Sequence, residues 1–291
     1  MRLDIDGRNC ELESGRSILD AVKKEGLDSI MLSDRPLAAQ IGGEVFNLRF
    51  TPKKDTQIHL LRYGEDMGRR VYERTLQFLF ILAMRKEFPR ARVCVRYSLG
   101  PGLFITVDGM EEPFNEEAAL KVETEMRRLV RLKLPLERRR ISIKEALSFY
   151  EQDGQADKAK LLKWRRFSYF DVYQIDGYMD YFYGEMAPDT SYADVFRVKY
   201  VHDGAVVLLM PRNDAPDVPS DYVDLPKLHA VFHQSDEWGK LMECATVNDL
   251  NTHIQNGTIR ELVRINEALH DRGYADIALS LIHISEPTRL G

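Results

Sequence analysis

His229 and His233 are the closest histidine pair in the chain, four residues apart. On a helix that spacing puts both imidazoles on one face, which supplies half of a metal site. No cluster of Cys, Asp or Glu accompanies them. Trp238 and Leu241 on the same stretch fit an ordinary packed helix that starts near Pro226, so the pair reads as structural. Positive charge is the other concentration of chemistry. Between Arg127 and Arg166 stand 13 Lys or Arg against 5 Asp or Glu, in a chain whose net charge is −5. A basic block in an otherwise acidic protein is an electrostatic footprint for RNA or a nucleotide phosphate. Arg128, Arg131, Arg138 and Arg140 are its candidate contacts. The competing reading is a solvated helix: Glu116 and Glu117 follow Asn115, and Arg127, Arg128 and Arg131 close the stretch, the order that the helix macrodipole favours without any ligand. Arg138, Arg139 and Arg140 lie outside that explanation. In a strand Arg139 would face away from its two neighbours.

Other chemistry is missing. There is no Gly-x-x-x-x-Gly-Lys-Ser/Thr and no Gly-x-Ser-x-Gly, and Gly239-Lys240 stands without the glycine-rich loop that cradles phosphates. Cys10, Cys94 and Cys244 are far apart and unpaired in motif. They read as small buried hydrophobes of a reducing compartment. No apolar run reaches membrane-spanning length and the N-terminus has no signal-peptide core. A cytoplasmic location with no membrane partner is expected.

A chain of 291 residues suffices for two cores. Leu3 and Ile5, the turn Asp6-Gly7, then Cys10 and Leu12 alternate as a strand, a tight turn and a strand. Ser17 fits a helix N-cap with Asp20 as its capping-box acid and Gly26 as the stop. Leu37–Ile41, Gly42-Gly43 and Glu44–Leu48 form a second strand-turn-strand, and Gln57–Leu61 closes the unit. Leu76–Met84, bounded by Arg74 and by Arg85-Lys86, reads as a buried helix. Asp203-Gly204 and Asn256-Gly257 are turn signals. Val247–Asn251 reads as a turn and cap, Ile259–Leu269 as helix, and Gly273 as its stop.

Longer strings carry resemblances. After the apolar helix come Lys86-Glu87-Phe88-Pro89, Val93-Cys94-Val95, Gly100-Pro101-Gly102-Leu103-Phe104 and Glu111-Glu112-Pro113-Phe114. A charged helix follows, then Leu134-Pro135-Leu136-Glu137-Arg138 and Ile141–Leu147. In order and spacing, about Arg69 to Met210 resembles the second additional domain, the editing domain, of threonyl- and alanyl-tRNA synthetases. That family presents His-x-x-x-His on a helix and Cys-x-x-x-His on a later loop. Arg74, Phe78, Phe182 and Met186 stand at those four places here. Guanidinium and phenyl groups do not bind zinc, and a lone thioether binds it poorly. The resemblance therefore implies a retained frame with vacated metal positions and no catalytic, cofactor-binding or metal residue. The first sixty residues resemble the β-grasp TGS domain that precedes the editing domain in threonyl-tRNA synthetase.

Tyr72–Phe78, Trp238–Leu241 and Ile265–His270 extend the resemblance to the N-terminal half of bacterial uridine kinase-like nucleoside kinases, over residues 1 to 278. It implies a kinase domain beyond the chain as partner, with ATP and Mg2+ as that domain's cofactors. Residues 279–291 resemble the translated read-through of a sequencing adapter, which implies a truncated reading frame and a non-native end.

The expected fold is α+β: a β-grasp domain at 1–62, an editing-like antiparallel sheet with helices at 63–225, a helical connector at 226–278 and the tail at 279–291. The leading functional expectation is a non-catalytic regulatory region of a nucleoside kinase. The alternatives are an RNA- or nucleotide-binding module acting through the basic block, and a threonyl-tRNA synthetase fragment or a surviving aminoacyl-tRNA deacylase, which would need a metal or a substitute base.

Overall fold

A computed structural model describes residues 1–175, 177–202 and 204–285, with side chains to 282. Asp176, Asp203 and 286–291 are outside it, so the Asp203 turn signal and the end of the adapter-like tail fall outside the described residues. The fold is α+β, with antiparallel sheets and helices in the arrangement of a TGS domain followed by an editing-like domain. Two compact units emerge. One comprises Met1–Ile141 with Phe170–Pro226, and the other Ser142–Tyr169 with the chain from Lys227 onward.

The first unit begins with a five-stranded sheet in the order β2-β1-β5-β3-β4. Its strands are β1 (Arg2–Ile5), β2 (Arg8–Glu11), β3 (Ala38–Ile41), β4 (Glu44–Phe46) and β5 (Thr56–Leu61). β1 runs parallel to β5 and antiparallel to β2, and Asp6 and Gly7 make the hairpin turn with positive φ. Helix α1 (Ile18–Lys24) crosses this sheet. Ser17 and Asp20 form its capping box, each side chain bonded to the other's backbone N–H, so two orphan donors are satisfied at once. Leu3, Ile5, Ile18, Val22, Ile58 and Leu60 fill the space between helix and sheet. This is a β-grasp.

Helix α2 (Asp66–Glu87) follows directly. Its Asp66 lies in the first turn and Arg85 and Lys86 in the last, in the sense the macrodipole favours. Gly68 lets it start this close to β5: a Cβ there would stand 1.9 Å from the Arg62 carbonyl oxygen. A four-stranded antiparallel sheet comes next, in the order β11-β12-β7-β6. Its members are β6 (Arg92–Leu99), β7 (Gly102–Asp108), β11 (Arg197–His202) and β12 (Ala205–Leu209). The Gly100-Pro101-Gly102 string is the β6–β7 turn. Gly102 is required for close strand packing, because a Cβ there would lie 2.6 Å from Val207 Cγ1. Helix α3 (Glu116–Leu132), capped by Asn115, lies with α2 on the inner face. Leu76, Leu79, Phe80, Val122, Ile105 and Leu208 belong to that core. A three-stranded sheet adds β8 (Glu137–Ser142), β9 (Tyr169–Ile175) and β10 (Tyr178–Asp180), and a small ribbon adds β13 (Pro211–Arg212) and β14 (Ala215–Pro219).

The second unit is helical, with α4 (Ile143–Gln152), α5 (Ala156–Leu162), α6 (Pro226–Leu241), α7 (Val247–Asn256) and α8 (Ile259–Ser285). Ser142 caps α4, and Thr246 with Asp249 forms a capping box for α7. Gly257, at φ +75°, ends α7. Trp164 donates to Asn248 Oδ1 at 2.9 Å. Three expectations fail in detail. Gly273 does not stop α8, which runs on through it to Ser285; one glycine costs a helix only about 1 kcal/mol. Leu241 is 74% exposed rather than packed. Cys94 is exposed on β6 and only Cys10 is fully buried, because Cys94 is on the outer face of an edge strand. Among the described residues no helix is long and apolar enough to cross a membrane.

Candidate functional site

Helix α2 carries Arg74 and Phe78 one turn apart, and the loop after β10 carries Phe182 and Met186. The structure brings all four to one place. The Phe78 and Phe182 rings meet edge to face, centroids 5.7 Å apart, and Tyr178 stacks on Phe78 at 6.1 Å. Phe78 and Met186 are fully buried in one apolar cluster with Leu136, Tyr173 and Ile175. Arg74 donates from Nε to the Glu185 carbonyl at 2.9 Å. Its guanidinium fills the space above Gly184, where a Cβ would lie 2.9 Å from Cζ. Burial pulls the Arg74 pKa below its ordinary value. The four positions that the sequence resemblance matched to metal ligands thus hold two phenyl rings, a thioether and a guanidinium gathered in one place.

The loop is fixed from three sides. Tyr173 on β9 accepts from the Met186 N–H at 3.0 Å, and its hydroxyl faces Glu185 Oε2 at 3.1 Å. Burial is the largest cause pushing that phenol well above its ordinary pKa. Thr75 on α2 accepts from the Ala187 N–H at 2.9 Å while donating to the Val71 carbonyl. From the β-grasp, Asn47 donates to the carbonyls of Met186 and Ala187 at 3.0 and 3.3 Å, and Arg49 donates to that of Pro188 at 2.8 Å. Sequence reasoning missed Tyr173, Thr75 and Asn47. Thr75 left a faint signal, a hydroxyl inside the apolar stripe of α2.

The basic block touches the rim of this site. Arg138 on β8 pairs with Glu185 at 2.6 Å and with Asp171 on β9 at 2.8 Å, and Arg140 pairs with the same Asp171 at 2.9 Å. The hydrogen bond from Arg140 is the first cause holding the Asp171 carboxyl below its usual range. Arg139 points the other way, to Gln174, as strand alternation requires. Arg128 is spent on buried Glu125, both contacts at 2.7 Å, and Lys86 meets the same acid at 3.0 Å. Arg131 is exposed and without a carboxylate partner among the described residues. The four candidates therefore do not make one surface of uncompensated charge: three are tied to acids of the fold.

His229 and His233 project from α6, which buries no residue fully. Among the described residues no group of three His, Cys, Asp or Glu is gathered to hold a metal ion. A separate cleft of about 490 Å³ is lined by Tyr63, Arg69, Glu73, Gly102 and Arg212, among others. Burial raises the Glu73 pKa there, and Arg69 donates to Asn213 at 2.8 Å.

The chain is similar to curated threonine–tRNA ligases over their N-terminal region. It is 25% identical over 194 residues to that of Clostridium kluyveri, covering 66% of this chain and 30% of the relative. It is 27% identical over 175 residues to that of Carboxydothermus hydrogenoformans, covering 57% and 26%. It is 28% identical over 160 residues to that of Acetivibrio thermocellus, covering 54% and 24%. The chain thus spans less than a third of the length of these relatives. No protein-family profile matches it. These relatives overturn the resemblance to a uridine kinase-like nucleoside kinase, and the strings that suggested a kinase are too short to outweigh them. The expectation of ATP and Mg2+ on a kinase domain rested on that reading alone.

Proposed function

We propose that the chain is the N-terminal region of a threonine–tRNA ligase-type protein, and that it holds RNA without hydrolysing an aminoacyl bond. The filled site carries this reading. An ester is hydrolysed by activated water or by a nucleophile with a base beside it. The polar groups beside Phe78, Phe182 and Met186 include Arg74, Tyr173, Glu185 and Arg138. Glu185 is engaged by Arg138 and Tyr173, and the Tyr173 phenol stays protonated, so neither serves as a free base at neutral pH. What is left for a ligand is positive charge at Arg131, exposed at the end of α3.

The test is a titration with tRNA at low and moderate salt. Affinity should fall with salt, each neutralised phosphate adding roughly 0.7–0.9 to the log–log slope. Arg131→Glu should weaken binding and flatten the slope without disturbing the fold. In parallel, aminoacyl-tRNA should lose its amino acid no faster with the protein and zinc than in buffer. Absence of RNA binding, or metal-stimulated deacylation, would defeat the proposal.

A further inference from the structure

His59 lies on β5 with a carboxylate oxygen at each ring nitrogen: Asp6 Oδ1 is 2.9 Å from Nδ1 and Glu65 Oε2 is 2.7 Å from Nε2. The two acids belong to different parts of the fold. Asp6 is in the β1–β2 turn of the β-grasp, and Glu65 is the N-cap residue of α2. A neutral imidazole has one N–H and one lone pair. It can satisfy one carboxylate and must aim its lone pair at the other. Only the imidazolium donates to both.

We propose that His59 is a proton-dependent latch, which in its doubly protonated form ties the β-grasp turn to the start of the helix carrying Arg74 and Phe78. The elbow around it is built for close approach. Arg62, in the link, bonds Asp6 Oδ2 at 3.1 Å and the Asp34 carbonyl at 3.2 Å. The Arg62 N–H reaches Glu65 Oε1 at 3.0 Å and the Leu60 N–H reaches Asp6 Oδ1 at 3.1 Å. Gly68 seats the first turn of α2 against the Arg62 carbonyl. Of the other elements beside His59, β3 presents the uncharged Gln40 directly opposite. On β1, Asp4 faces Gln57, two residues along from His59. The acids that meet the ring are therefore Asp6 and Glu65, and the one neighbouring base, Arg62, is itself bonded to Asp6.

Hydrogen bonds to Glu65 and then to Asp6 raise the His59 pKa above its ordinary value. A group whose folded pKa is raised stabilises the fold fully below its unfolded pKa, about 6.5 for histidine. It loses that contribution as pH rises through the folded value. The latch is thus closed below the ordinary histidine pKa and opens as pH rises through the raised folded value. Half of the ring is open to solvent, so its proton exchanges freely and the response is reversible.

Two measurements on the full chain test this. A long-range 1H–15N NMR titration, with His59 assigned by loss of its signals in His59→Gln, should show both ring nitrogens still protonated above pH 6.5, and Glu65→Gln should bring that midpoint down. The melting temperature should drop more between pH 6 and pH 8.5 in the wild type than in His59→Gln, by a margin of about 1–3 °C. A midpoint at or below 6.5, or the same pH slope in both proteins, overturns the proposal. If His59→Gln does not fold, the wild-type titration with Glu65→Gln decides it alone.

Discussion

The side-chain amide of Asn47 donates to the carbonyl oxygen of Met186 at 3.0 Å. This bond spans 139 residues of sequence and joins the β-grasp to the floor of the filled site. Asn47→Ala removes it and the companion bond to Ala187, leaving two carbonyls short of a partner. The expected cost is about 1–3 kcal/mol, read as a lower denaturant midpoint at unchanged m-value.

Phe78 should behave as a core residue and not as a vacant ligand position. It is fully buried against Phe182, Tyr178 and Met186. Phe78→Ala should cost about 3–5 kcal/mol in equilibrium unfolding. A loss under 1 kcal/mol would mean that the cluster is loosely packed. Placing imidazoles and a thiol at all four positions (Arg74→His, Phe78→His, Phe182→Cys, Met186→His) should weaken the metal-free fold and introduce zinc binding, both visible when the melt is repeated with zinc and with a chelator.

Gly68→Ala should be far more damaging than an ordinary helix substitution, which would favour alanine by about 1 kcal/mol. The added methyl would be 1.9 Å from a backbone oxygen, so the elbow between β5 and α2 must shift. A large fall in melting temperature is expected, whereas Gly273→Ala in α8 should be neutral or stabilising.

Asp171 makes the rim acid-sensitive. Arg140 and Arg138 hold its carboxyl below the ordinary value. A depressed carboxylate pKa contributes stability present above the unfolded value and lost as pH falls through the folded one. Asp171→Asn should therefore lower stability at neutral pH and narrow its difference from the wild type below about pH 4, the ordinary carboxylate range. Paired denaturation series at pH 7 and pH 3 check the sign.

Removing residues after Ala278 should change unfolding free energy by no more than about 0.5 kcal/mol, as for other exposed segments. Leu279 and Leu281 are 57% and 60% exposed. A fall of several degrees in the melting temperature would show that this end of α8 packs.

Local chemistry made much of this fold legible. Ser17 with Asp20, and Asn115 before two glutamates, each cap a helix through contacts within three residues, so the signal and its partner sit side by side in the chain. The gathering of Arg74, Phe78, Phe182 and Met186 was legible only through resemblance, because nothing in an arginine and two phenylalanines announces a site. The fate of the basic block was not legible. Arg138 and Arg140 look unopposed along the chain, but their acid, Asp171, arrives more than thirty residues later on the neighbouring strand. Cys94 was misread for a related reason: alternation identifies two faces of a strand, and only the packing of helices on one of them decides which is covered.

The central strand of the β-grasp is the last of its five to be made. β5 lies between β1 and β3, and no other strand joins the β1–β2 hairpin to the β3–β4 hairpin. On the ribosome, two hairpins that are marginal by themselves must wait for residues 56–61 to emerge before they share a sheet. A nascent chain paused before Thr56 should therefore expose the apolar faces of both, and a chaperone that recognises such faces would find its binding window there, closing when β5 slots in.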